Sequence, residues 1–176
     1  MEGRLFFFLL FPHKVIKGGG EMKKKGSGGK FLVITALILL AAGVTAAGLF
    51  ITSRPGYQAE KAVEAFYSYE QKGRYADSWL LLHSRMKDKF GKGHYIQDRA
   101  HVFMNHFGVE TFTFTTGEVT HLDTWSMEKG TDPFKNVYVV SVDQTFKGKY
   151  GRFRLHQDVY VTEEKGGWKI LWDYNK

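Results

Sequence analysis

Several groups of side chains in this sequence have the types and spacing to do chemistry. His94, Asp98 and His101 recur at i, i+4 and i+7, which on a helix gathers them within about 60° of one face. Imidazoles and a carboxylate so placed are a metal-ligand pattern. The apolar stripe Ile96, Ala100, Phe103 and Phe107, with Asn105 on the histidine side, lies about 200° round the same helix. The histidine face is therefore expected to be solvated rather than closed round an ion. His121 and Asp123 alternate as two residues on one face of a strand do. Such a pair serves acid–base work where geometry brings it to a substrate. Here it falls near the edge of a loop, with nothing to place it in a cavity. Arg152, Arg154 and His156 make a basic strand face suited to an anionic polymer or lipid headgroups, with Asp143 and Asp158 as cross-strand neighbours able to neutralise it. Phe66, Tyr67, Trp79, Trp168, Trp172 and Tyr174 are either a pocket lining or core. The candidates for ligand or partner contact are thus Tyr67, Trp79, Arg152, Arg154, His156, Trp168 and Trp172. No residue is assigned to catalysis or to a metal, and no cofactor is implied.

Composition removes whole classes of chemistry. The chain has no cysteine, which excludes disulfides, thiolate nucleophiles, cysteine zinc sites and a lipidated cysteine. Its formal net charge is +7 over 176 residues, yet the excess is local. Residues 1–51 hold seven bases and two acids, whereas residues 52–176 hold 18 bases and 16 acids. A nearly neutral C-terminal part gives no electrostatic footprint for a nucleic acid, and none is expected as a partner.

The elements that must position these groups start with Phe31–Ile51, FLVITALILLAAGVTAAGLFI, which is 21 residues without a charge. As a helix it spans about 31 Å, the thickness of a hydrocarbon core. Lys23, Lys24, Lys25 and Lys30 precede it and only Arg54 follows before Pro55-Gly56. That asymmetry predicts a cytoplasmic N-terminus and an extracytoplasmic C-terminal part, with the bilayer engaged through residues 31–51. A cleavable signal peptide is the rival, with Val44-Thr45-Ala46 as its cleavage site, but the apolar run outlasts a signal core of about 7–15 residues. Gly43 and Ala47 form a small-xxx-small pair, here assigned to lipid contact rather than helix pairing.

The organisation that follows is a cytoplasmic tail (1–30), a transmembrane helix (31–51), a linker (52–57) and an extracytoplasmic domain (58–176). Residues 1–21 read as a translated leader. Met22-Lys-Lys-Lys has the form of an exported bacterial protein's start, and Lys17-Gly18-Gly19 is compatible with a ribosome-binding sequence shortly upstream. The competing reading is a real tail with an interfacial aromatic patch at Leu5–Phe11.

In the domain, helical spacing predicts three helices: Gln58–Lys72, ended by Gly73, then Arg74–His83, and His94–Phe107, ended by Gly108. The polar stretch Ser84–Gly93 separates the last two. Alternation then predicts strands at Val109–Thr116, Asn136–Phe146, Phe153–Thr162 and Trp168–Tyr174, with turns at Lys147–Gly151 and Lys165-Gly166-Gly167. The longer loop lies around Trp125–Pro133. The fold class is α+β: three helices packed on a curved antiparallel sheet of about four strands, cone-like, behind one transmembrane helix.

Two passages carry a family resemblance. The text KAVEAFYSYEQKGRYADSWLLL at 61–82 resembles the opening of nuclear transport factor 2-like domains. The ending GGWKILWDYNK at 166–176, with its Trp-x-x-x-Trp-Asp pattern, is similar to the closing strand of the N-terminal, non-catalytic domain of methicillin-resistance-type penicillin-binding transpeptidases. The resemblance covers roughly residues 57–176. These residues do not carry the transpeptidase set Ser-x-x-Lys, Ser-x-Asn and Lys-Thr-Gly, so no active-site serine carries over. The resemblance implies a non-enzymatic accessory domain of the bacterial cell envelope, with envelope proteins as partners and a homodimer as an oligomeric option. The alternative expectation is a small-ligand-binding or hydrolase-like cone using the space between helices and sheet.

Overall fold

A computed structural model describes residues 28–101, 109, 111–148 and 151–175. The readings of 1–27, including the leader and Met22, and of Phe103, Asn105, Phe107 and Gly108, lie outside the described residues. Helix α1 is Gly28–Thr52. Its stretch Gly29–Thr52 is long and apolar enough to cross a membrane, and none of it is buried. Thr35 donates its hydroxyl to the Phe31 carbonyl at 2.9 Å, so the polar atom is satisfied within the helix. The boundary between the chain's two compact units falls inside this helix, after Ala42.

Helix α2, Pro55–Gln71, opens on proline at its first turn, where the missing N–H costs nothing. Ala59, Val63, Phe66 and Tyr67 form its buried stripe. Gly73 adopts φ +67°, which closes the helix and lets the Arg74 N–H bond the Tyr69 carbonyl at 2.9 Å. Helix α3 is Tyr75–Leu81. The stretch Ser84–Gly93, taken from the sequence as non-helical, instead forms α4, Ser84–Lys89, and the start of α5, Lys92–His101. Four helices thus follow α1 among the described residues, where three were expected. The reason is a core contact and a cap: Met86 is fully buried, and the His83 ring caps the helix by accepting the Arg85 N–H.

The sheet order is β1-β2-β3-β4, antiparallel throughout. Strand β1, Phe112–Trp125, runs well past the expected end at Thr116. A register shift between Thr116 and Val119 makes room for the extension, so His121 and Asp123 lie on a strand. Strands β2, Phe134–Gly148, and β3, Gly151–Glu164, pair as far as Gly148↔Gly151, so the link between them is shorter than the five-residue turn expected. Lys165 and Gly166 at φ 52° and 75° make the tight connection to β4, Gly167–Leu171. The alternation predicted through Tyr174 fails, because Ile170 and Leu171 are both buried. The chain then leaves the sheet, and the Tyr174 N–H bonds the Met127 carbonyl at 2.8 Å. Since β4 pairs only with Tyr160–Glu164, β2 is the single strand beside Gly151–Val159 among the described residues. Val140, Val142, Phe146, Val159, Val161 and Ile170 join the α2 stripe in one core cluster.

The His83 cap carries a pH dependence. Its Nδ1 accepts the Arg85 N–H at 3.1 Å, which requires that nitrogen to be unprotonated. Burial pushes the imidazole below its ordinary range; Glu164 opposes this, and Arg85 and Lys87 reinforce it. Burial alone would push the Glu164 carboxyl up, but hydrogen bonds from Ser84 outweigh it and the net direction is down. With both folded values below the unfolded ones, stability is present above about pH 6.5 and falls as acid is added. The urea midpoint of the full chain in detergent micelles is expected to drop between about pH 7.5 and 5.5, by roughly 1 kcal/mol of stability. His83→Asn keeps a capping oxygen without titrating and should flatten that drop; an unchanged drop places the titration elsewhere.

Candidate functional site

The stripe of α2 continues one step beyond its apolar residues, to Glu70, and buries a carboxylate. Its side chain is 0% exposed. Oε1 accepts the Ser78 hydroxyl from α3 and the Tyr95 hydroxyl from α5, the latter at 2.8 Å. Oε2 accepts Arg99 of α5 through Nε at 2.6 Å and Nη2 at 2.5 Å. Four donors fill the acceptor capacity of a carboxylate. Burial lowers the Arg99 guanidinium, but Glu70 outweighs it and the net direction is up. Burial pushes both the Tyr95 and the Tyr67 phenols up, so both stay neutral donors. Tyr67 donates to Gln157 Oε1 at 3.2 Å. This is a fully bonded carboxylate among neutral phenols. It holds helices together, and it has no lone pair left to take a proton from a substrate.

The sequence candidates divide by location. Tyr67 and Trp172 adjoin the Glu70 cluster. The Trp172 indole stacks on Tyr95 with centroids 6.4 Å apart and has the Arg99 guanidinium 5.9 Å from its ring. Its buried Nε1 finds no acceptor among the described residues. Trp79 lies elsewhere, donating Nε1 to the Phe90 carbonyl at 3.0 Å with the Lys87 ammonium 4.9 Å above its ring. Trp168 donates to Gln58 Oε1 at 2.8 Å and meets Tyr138 edge-on. Phe66 thus joins Tyr67 and Trp172 in one aromatic cluster, while Trp79 and Trp168 make contacts of their own.

Arg152, Arg154 and His156 do share an exposed face of β3. His156 Nδ1 lies 3.0 Å from Asp143 Oδ1 and its Nε2 3.9 Å from Asp158; Asp143 is the cross-strand neighbour expected, whereas Asp158 stands on β3 itself, opposite Ser141. His94 and Asp98 pair on an exposed helix face at 3.1 Å. Among the described residues no group of three or more potential ligands converges as a metal site would. His121 and Asp123 are 3.7 Å apart, with Asp123 almost fully exposed. The spacing Ser-x-x-Lys occurs at Ser84–Lys87 and Ser126–Lys129. In the first the Lys87 ammonium goes to the Leu80 carbonyl at 3.2 Å, and in the second the Ser126 hydroxyl goes to the Thr131 carbonyl at 3.4 Å.

Sequence reasoning missed Glu70, Ser78, Tyr95 and Arg99. One signal was present: Glu70 continues the i+3/i+4 series Val63, Phe66, Tyr67, and a carboxylate there must find partners. Comparison with protein-family models and with curated proteins finds no match for this chain.

Removing one member should expose the others. Arg99→Met leaves Glu70 charged and buried, and should cost about 3 kcal/mol in urea denaturation. Adding Glu70→Gln to Arg99→Met should restore much of that loss. Additive losses in the double-mutant cycle would show that the two side chains do not act as a pair.

Proposed function

We propose that the chain is a single-pass membrane protein. Its α1 is an uncleaved anchor, and residues 52–176 are an extracytoplasmic, non-catalytic interaction domain of the cell envelope, of the nuclear transport factor 2-like kind. The observation that carries the reading is α1. Its large side chains, from Phe31 at 70% to Ile51 at 51%, are exposed throughout. Leaving about a dozen such residues in water forfeits roughly 1.5–3 kcal/mol apiece, which a bilayer recovers. The lysines ahead of it set the orientation.

Two further features support a module that binds rather than catalyses. The interior carboxylate is fully bonded, and the perturbed groups around it are held as structural donors. The helices gather on an open four-stranded antiparallel sheet, which leaves a sheet face for a partner. The envelope and the accessory role come from the sequence resemblance at 61–82 and 166–176.

A reporter fused after Lys176 that is active only outside the cytoplasm should give signal, and the chain should stay with carbonate-washed membranes. A reporter active only in the cytoplasm overturns the orientation. A shortened product in the medium overturns the anchor in favour of a cleaved signal.

A further inference from the structure

Charge on the exposed face of the β2–β3 ribbon changes along its length. In the ladder, Asp143 faces His156, Thr145 faces Arg154 and Lys147 faces Arg152. The first pair is joined by its own hydrogen-bond contact at 3.0 Å. Beyond it, toward Gly148↔Gly151, the face holds Arg154, Lys147 and Arg152, all exposed. Among the described residues none of these three has a carboxylate partner. Two cations directly opposite one another repel, and an anion placed between them removes the repulsion. Lys147 and Arg152 also line a shallow hollow with Thr111, Thr113 and Thr145. The Thr111 hydroxyl is committed to the Gln71 carbonyl at 2.8 Å, which leaves Thr113 and Thr145 as the hydroxyl donors to a ligand. Paired cations beside hydroxyls and no acid are the chemistry of phosphate recognition.

We infer that this hairpin end binds a phosphodiester-linked polyanion through Lys147, Arg152 and Arg154. The inference rests on the proposed function only for where the polymer is met. A polymer, rather than a single headgroup, fits a row of cations. Gly56 at the start of α2 lies against Tyr138, and ten residues of strand then lead to Gly148, about 33 Å at the usual rise. The cations therefore sit at the end of the sheet remote from the start of α2. They follow a strand, and a repeating anion can run along that row.

The test uses the full chain reconstituted in phosphatidylcholine nanodiscs and titrated with poly(glycerol phosphate) at several salt concentrations. Binding should weaken with salt, with a log–log slope of about −2 for two to three phosphates neutralised. The triple variant Lys147→Ala, Arg152→Ala, Arg154→Ala should bind about tenfold or more weakly. A control pair, Lys129→Ala with Lys165→Ala, should bind as the parent does. Thr113→Lys adds a cation to the same face and should tighten binding, a gain that misfolding cannot mimic. Absence of polymer binding, or equal binding by the triple variant, overturns the inference. Tighter binding to phosphatidylglycerol vesicles than to the polymer, lost in the same variant, assigns the site to lipid and overturns it too. A chain that does not enter nanodiscs refutes the anchor alone, because the titration can be repeated on the soluble chain.

Discussion

A carboxylate taken out of water must be matched, and here the match is what assembles the helices. Glu70 brings together Ser78 from α3 with Tyr95 and Arg99 from α5. Helix α3 is seven residues long, too short to persist alone in water. Hydrophobic burial holds α2 to the sheet, but it is non-directional. The fork of Arg99 and the two hydroxyls supply direction, fixing how far along and around α2 the other helices sit. The same saturation that makes the cluster a good fastener removes it as a source of general acid or base.

That division of labour extends to the sheet. Its inner face is filled by valines, phenylalanines and the α2 stripe. Its outer face carries the charge pattern, with acids where Asp143, His156 and Asp158 meet and bases at the hairpin end. Function on this scaffold is therefore expected at the surface, where side chains are free to change partners. The interior is committed to holding shape.

Much of this was legible in the residues. The apolar run, the α2 stripe with Gly73 as its stop, the strand alternation in β2 and β3, and the tight turn at Lys165-Gly166 all follow from period and turn chemistry. What was not legible depended on long-range contacts. The α4 segment has poor periodicity and is helical because one residue, Met86, is buried and His83 caps it. The extension of β1 past Thr116 rests on a register shift opposite Ser141, which no local pattern announces. Trp172 and Tyr174 alternate as strand residues do, yet Trp172 is drawn toward Phe66 and Tyr95 instead. The Glu70 cluster was half visible, as a charge in an apolar stripe whose partners lie eight, 25 and 29 residues away.

The shortness of β4 has a cost that the neighbouring charges meet. Among the described residues it leaves Gly151–Val159 of β3 with no strand on one side, a template on which another chain can add itself. Arg152, Arg154, His156 and Asp158 stud that margin, and Gly151 begins it, so an incoming strand would have to strip water from several ionic groups at once. The residues that prepare the hairpin for an anion thus double as guards against edge-to-edge polymerisation.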